Sequence, residues 1–181
     1  MAAEELFTAL YRAHYEAVLR YALRRTDHDA AKDVVAETFL VAWRRWAEVP
    51  NDREQALPWL YGVAGKVLAG TRRSRIRRHR LIARLSFEPR AETGDLAGGV
   101  VSVQCLLEAL ERLPLKDQEI LRLAGWEELD LAAIAVAVDC SKNAAAVRLH
   151  RARNRLEIAL TRAQDGHNDG RHELAEGREQ R

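Results

Sequence analysis

The chain has 181 residues, 48% of them apolar and 31% charged, with a formal net charge of +2. That is enough apolar side chain for one domain or two small ones, and too little net charge for whole-molecule attraction to a polyanion. No apolar run approaches the roughly 20 residues of a membrane-spanning helix, and MAAEELFTAL carries acids where a secretory signal would carry bases and then an apolar stretch. The expected location is the cytoplasm, with no membrane contact. Cys105 and Cys140 are far apart and outside any CxxC pair, and the six histidines are scattered. No metal site, disulfide or cofactor is therefore expected.

In chain order, residues 5–25 place Leu6, Leu10, Ala13, Ala17 and Tyr21 at helical spacing, and Thr26, Asp27, His28 and Asp29 come next as turn and capping residues. Residues 29–46 are apolar around much of the circumference (Val34, Val35, Phe39, Val41, Ala42, Trp43, Trp46), which predicts a helix at the middle of a bundle. Residues 48–55, with Pro50, lack periodicity and read as a loop. A third helix is expected to start near Pro58, a residue suited to a first helical turn, and to run through Trp59, Leu60, Val63, Val67 and Leu68. Between Lys66 and Arg84 it enters a stretch with eight bases and no acid.

The pattern dissolves over 85–101 into SFEPRAETGDLAGGV, whose proline, glycines and acids mark a linker. Helices are expected again over 103–113, stopped by Pro114, and over 115–125. Asp130 then stands as a candidate N-cap before the apolar run 131–138. Asp139, Cys140 and Ser141 interrupt that run, Asp139 tolerating the left-handed backbone of a tight turn and Ser141 able to cap the next helix. In SKNAAAVRLHRARNRL, 141–156, Ala145, Leu149, Ala152 and Leu156 form one narrow apolar seam, while Asn143, Val147, Arg148, Arg151, Asn154 and Arg155 point elsewhere. This stretch contains no Asp or Glu. Residues 164–181 are charged and almost without apolar side chains, which predicts a disordered tail. No strand-like alternation or internal repeat occurs, so the fold class is all-α.

Two helices joined by a short turn, the second basic, make a helix-turn-helix, whose second helix enters the major groove. A basic face on a wet helix is the competing reading, since Arg is a good helix former. Two acid-free zones in a nearly neutral chain instead suggest two selected contacts with nucleic acid.

The residues that carry a family resemblance lie in the same places. DVVAETFLVAWRRW (33–46) followed by LPWLYGVAGKVLAGTRR (57–73) resembles region two of bacterial RNA polymerase sigma factors of the extracytoplasmic-function (ECF) group of the sigma-70 family. LEALERLPLKDQEILRL (107–123) and SKNAAAVRLHRARNRL resemble their region four. This sequence departs from the family pattern at Ala36, where Gln is frequent, at Asp139, where the turn usually has Gly, and at Ala144, Ala145 and Ala146, where Thr-Val-Lys is common.

The resemblance implies two small helical domains: a region-two bundle over 1–84, a linker over 85–101 and a region-four helix-turn-helix over 102–161, followed by the tail 162–181. It implies promoter recognition and transcription initiation on behalf of the polymerase core, without enzymatic activity or a small-molecule substrate. Lys142, Asn143, Ala144, Val147, Arg148, Arg151, Arg153 and Arg155 would then meet the upstream, minus-thirty-five element, the last two on or near phosphates. Asn51, Trp59, Tyr61, Lys66, Arg72, Arg73 and Arg75 would meet the minus-ten element, where exposed bases need a substitute for stacking. Asp33, Glu37, Phe39 and Trp43 would contact the β′ clamp helices, and region four the β flap. Trp59, Phe39 and Trp43 also suit a bundle core. An anti-sigma factor is a common further partner in the family, although nothing in this chain identifies one. The main alternative is a stand-alone helix-turn-helix regulator acting as a dimer on palindromic DNA. A helical enzyme ranks below both, because the chain shows no phosphate loop and no nucleophile with an evident base.

Overall fold

The computed structural model describes residues 3–83 and 103–176, with side chains described for all of these except 53, 72–83, 104 and 163–176. The expected linker, 85–101, lies outside the described residues. Among the described residues seven α-helices occur in order: α1 Ala3–Leu23, α2 His28–Arg44, α3 Arg53–Ala83, α4 Val103–Glu111, α5 Leu115–Gly125, α6 Leu131–Ala137 and α7 Lys142–Glu176. A short 3-10 turn, Trp46–Glu48, sits between α2 and α3, and no strand occurs among the described residues. The all-α expectation is met. By packing, the chain divides into one unit drawn from Met1–Ala91 with Leu129–Lys142, and a second drawn from Glu92–Glu128 with Asn143–Arg181.

In the first unit α1, α2 and α3 form a mutually packed bundle. Each contributes residues at helical spacing to its interior: Val18, Tyr21 and Ala22 from α1, Val34, Val35, Phe39 and Ala42 from α2, and Leu60, Tyr61, Val63 and Ala64 from α3 are all buried. The ends are set by side-chain caps. The Asp27 carboxylate accepts the Ala30 N–H at 2.9 Å, fixing the start of α2. Asp52 accepts the Glu54 N–H at 3.0 Å, and α3 therefore begins at Arg53, earlier than the expected start near Pro58. Pro58 lies inside the helix, where its missing N–H costs one bond to the preceding turn. Thr38, also buried, returns its hydroxyl to the Val34 carbonyl at 2.6 Å, so its one polar atom is satisfied within its own helix.

The short helix α6 belongs to this first unit and packs along α3. Asp130 caps it as the sequence indicates, accepting the Ala133 N–H at 2.7 Å. Its end is a tight turn in which Asp139 adopts φ 53° and the Cys140 N–H donates to the Ala135 carbonyl at 3.0 Å. This is the left-handed closure that an aspartate tolerates and a β-branched residue resists.

In the second unit the buried set is Ala109, Leu110 and Leu113, Ile120 and Leu123, and the seam Ala145, Leu149 and Ala152 of α7. The corner at Pro114 is held by buried Gln118, whose amide donates to the carbonyls of Glu111 at 3.1 Å and Leu113 at 2.9 Å. The first is an orphan acceptor of the last turn of α4, and the second lies just beyond it. The Arg155 guanidinium pairs with the Asp117 carboxylate, tying α7 to α5. The backbone of α7 continues to Glu176, into the span read from composition as a tail. The composition there argues against burial, but residues such as Ala, Glu, Leu and Arg are themselves good helix formers.

Leu60→Ala is expected to lower the unfolding free energy by about 2–5 kcal/mol, as for fully buried leucines generally. Gln118→Ala, which leaves two carbonyls without their donor, is expected to cost about 1–3 kcal/mol. Urea denaturation of each variant checks both values; a Gln118→Ala chain as stable as the parent would exclude the corner role.

Candidate nucleic-acid interface

Helix α7 begins at Lys142, directly after the turn at Asp139. Its seam residues Ala145 and Ala152 are fully buried and Leu149 nearly so. Fixing those three positions fixes where every other side chain of the helix points. Lys142, Asn143, Val147, Arg148, Arg151 and Arg153 are exposed, and Ala144 is half-buried. The result is one helix with a dry side and a cationic, polar side, Val147 standing 49% exposed among the charges as the apolar element of that side. An apolar group there is suited to the methyl of a thymine rather than to a phosphate. Arg155 stands apart from this set, because its guanidinium is paired with Asp117 inside the second unit. That exposed ion pair ties the start of α5 to α7 in the protein without DNA.

The second basic zone lies on the continuous helix α3. Asn51 and Lys66 are exposed and Trp59 is half-buried, whereas the backbone of Arg72, Arg73 and Arg75 continues helical with side chains outside the described set. Tyr61 departs from expectation. It is 5% exposed and stacked on Tyr21, with ring centroids 4.8 Å apart and an interplanar angle of 18°. Arg25 covers Tyr21, its guanidinium carbon 3.5 Å from that ring centroid. The Tyr61 ring is thus bundle interior, and its expected contact with bases is withdrawn. The spacing of α3 alone could not separate Trp59 from Tyr61; the helix phase set by Leu60 and Ala64, both 0% exposed, does.

A third surface is aromatic. Phe7 of α1 meets the rings of Phe39, Trp43 and Trp46 edge-on, at centroid distances of 6.4, 5.0 and 6.1 Å, and Tyr11 lies 4.7 Å from Phe39. Phe39 is buried in this cluster, while Trp43 and Leu40 remain about two-fifths exposed beside exposed Asp33 and Glu37. Of the four expected polymerase contacts, Phe39 is therefore a core residue and the other three reach the surface. Phe7, Tyr11 and Leu40 were not singled out from the sequence. The recurrence of aromatics at steps of four in α1 and α2 was the available signal. Below this face the Arg45 guanidinium grips the Glu48 carboxylate with two hydrogen bonds, one of them at 2.8 Å. That hydrogen bonding holds the Glu48 carboxyl below its ordinary range.

These features define a class: an all-helical chain in which a short capped helix and a tight turn precede a helix whose first part, 142–156, is acid-free. The Sigma-70 region 2 family model matches residues 10–81 and the Sigma-70 region 4 model residues 103–156. The ECF RNA polymerase sigma factor SigL of Mycobacterium tuberculosis is 30% identical over 157 residues, 86% of this chain and 89% of that protein. The RNA polymerase sigma factor NccH of Alcaligenes xylosoxydans xylosoxydans is 29% identical, covering 84% of this chain and 83% of its own. Among solved structures, the sigma factor RpoE of Bartonella quintana, in complex with the anti-sigma factor NepR, shares the fold with a TM-score of 0.60 at 23% identity, over 86% of this chain and 96% of that one. The chain belongs to the ECF sigma factors of the sigma-70 family.

The placement of the aromatics gives an expected contrast. Phe39→Ala should cost about 3–5 kcal/mol of stability, whereas Trp43→Ala, losing mainly its edge contact with Phe7, should cost about 1 kcal/mol. Thermal or urea unfolding distinguishes them, and equal losses would contradict the burial difference.

Proposed function

We propose that this chain acts as an alternative sigma factor, binding RNA polymerase core and directing it to promoters through α7 at the minus-thirty-five element and the α3 surface at the minus-ten element. The single observation that carries the assignment of α7 is the pairing of a buried Ala145, Leu149 and Ala152 seam with an outer side bearing Asn143, Val147, Arg148 and Arg151. A helix so anchored presents those side chains at a fixed rotation, the condition for reading base edges in the major groove. Arg148 and Arg151 have the reach for guanine edges or phosphates, Asn143 the donor and acceptor pair for adenine, and Val147 a methyl surface for thymine. Lys142 and Arg153, at the borders of that side, suit phosphate contacts that set register without reading sequence.

On α3, Lys66 and the basic run that includes Arg72, Arg73 and Arg75 supply cationic attraction for a strand backbone. Trp59 offers a half-exposed ring and Asn51 a polar group in the preceding loop. The exposed edge of α2, with Asp33, Glu37, Leu40 and Trp43, supports docking to the polymerase clamp helices. Region four would engage the β flap. An anti-sigma factor as a third partner is supported by the shared fold with a sigma factor that was solved in such a complex. The working location is the cytoplasm, with the polymerase. Among the described residues, no group of three or more His, Cys, Asp or Glu is placed to hold a metal ion, and the reading assigns the chain no enzymatic step of its own.

Purified chain added to polymerase core is expected to start run-off transcription at a defined promoter that core alone ignores; no transcript from any promoter and no co-purification with core would overturn the assignment. Arg148→Ala should weaken binding of the holoenzyme to a cognate upstream element by about 1–3 kcal/mol and leave a scrambled element nearly unaffected. Arg153→Ala should weaken both alike and lower the salt slope by about one ion. Anisotropy titrations at several salt concentrations check both, and equal losses for Arg148→Ala on both duplexes would remove its base-reading role.

A further inference from the structure

A lone exposed valine is ordinary on a protein surface; the place of Val147 on α7 is what sets it apart. The buried seam Ala145, Leu149 and Ala152 fixes the rotation of the helix, and at about 100° per residue Val147 falls nearly opposite it, at the middle of the outer side. There it stands 49% exposed. Asn143 and Asn154 lie within about 40° of it on one flank and Arg151 within about 40° on the other, all three exposed. Asn154 Nδ2 is 3.4 Å from His150 Nε2, a contact one helical turn long that steadies the amide beside the valine. An apolar branch is thus set at the centre of a polar frame.

The frame decides what the valine can distinguish. In the major groove thymine shows O4, an acceptor, where cytosine shows its N4 amine, a donor. An asparagine amide carries both a donor and an acceptor and can turn either end to the base. Neighbours of that kind separate the two pyrimidines weakly by their exocyclic groups, and Arg151 accepts the guanine that pairs with cytosine. What Val147 itself responds to is the methyl on C5. Thymine carries it, uracil and cytosine lack it, and cytosine methylated at C5 presents it at the same point of the groove. We propose that Val147, framed by Asn143 and Asn154, is a receptor for the 5-methyl group of a pyrimidine in the upstream element and accepts 5-methylcytosine in place of thymine. Methylation of one cytosine there then raises the affinity of this chain for the element, so a modified base becomes a ligand of α7. The proposal rests on the sigma reading of the previous section.

The test uses the full chain bound to polymerase core and the upstream duplex that it selects from a random pool, read by anisotropy titration. Each thymine of that duplex is replaced in turn by deoxyuridine, which removes only the methyl. One position is expected to lose about fourfold in affinity, the worth of burying one methyl-sized group. At that position cytosine and 5-methylcytosine, each paired with guanine, are then compared, and the methylated base is expected to bind about fourfold tighter. In Val147→Ala, an exposed change to a good helix former, both ratios are expected to fall to about one, while Val147→Ile, which keeps the apolar branch, retains them. No thymine sensitive to loss of its methyl, 5-methylcytosine bound no better than cytosine, or ratios that persist in Val147→Ala as an effect of DNA shape would, overturns the proposal. Selection that yields no duplex preferred over scrambled DNA overturns it as well. If the chain fails to join core or starts no transcript, the sigma reading falls instead, and the same ratios on the duplex selected by the free chain decide the methyl receptor.

Discussion

The first unit depends on the burial of α3. Leu60 and Ala64 are fully enclosed, Tyr61 is stacked on Tyr21, and α1, α2 and α6 all rest on this helix. Because consecutive positions of a helix point about 100° apart, locking Leu60, Tyr61 and Ala64 inward leaves only a narrow arc for display, and Lys66 falls on it. The same helix that organises the core thus determines where Lys66 meets the outside.

Much of this was legible before any coordinates. Helix existence followed from periodicity, and both aspartate caps, Asp27 and Asp130, act where short polar residues precede apolar periodic runs. The turn at Asp139 was legible because few residue types accept a positive φ. The seam of α7 was visible because its small and large apolar residues fall on a strict three-four step.

What escaped the sequence is which of two plausible neighbours faces inward. Trp59 and Tyr61 are both amphipathic aromatics, and the burial of Leu60 and Ala64 together with the packing of Tyr21 against Tyr61 resolves them. Phe39 and Trp43 are one turn apart on α2, yet Phe7 and Tyr11 converge on Phe39 and leave part of Trp43 bare. The pairing of Arg155 with Asp117, far away in sequence, was likewise not legible. The close packing of α6 on α3 at Gly62, where a Cβ would stand 2.5 Å from the Ala137 carbonyl oxygen, was also hidden, since a glycine inside a helical pattern signals only a cost in propensity unless its neighbour is known. Each miss concerns a tertiary partner rather than a local preference.

The division of α7 into an enclosed edge and an open one has a consequence for how such a protein diversifies. Packing constrains Ala145, Leu149 and Ala152, because a larger group at either alanine would push the helix off its bed. Asn143, Val147, Arg148 and Arg151 carry no such burden. On the proposed reading, substitutions there change the sequence being read while the scaffold stays intact. A new promoter preference could arise by exchanging side chains on the open edge one at a time, each intermediate still folded and still tested by selection for what it transcribes.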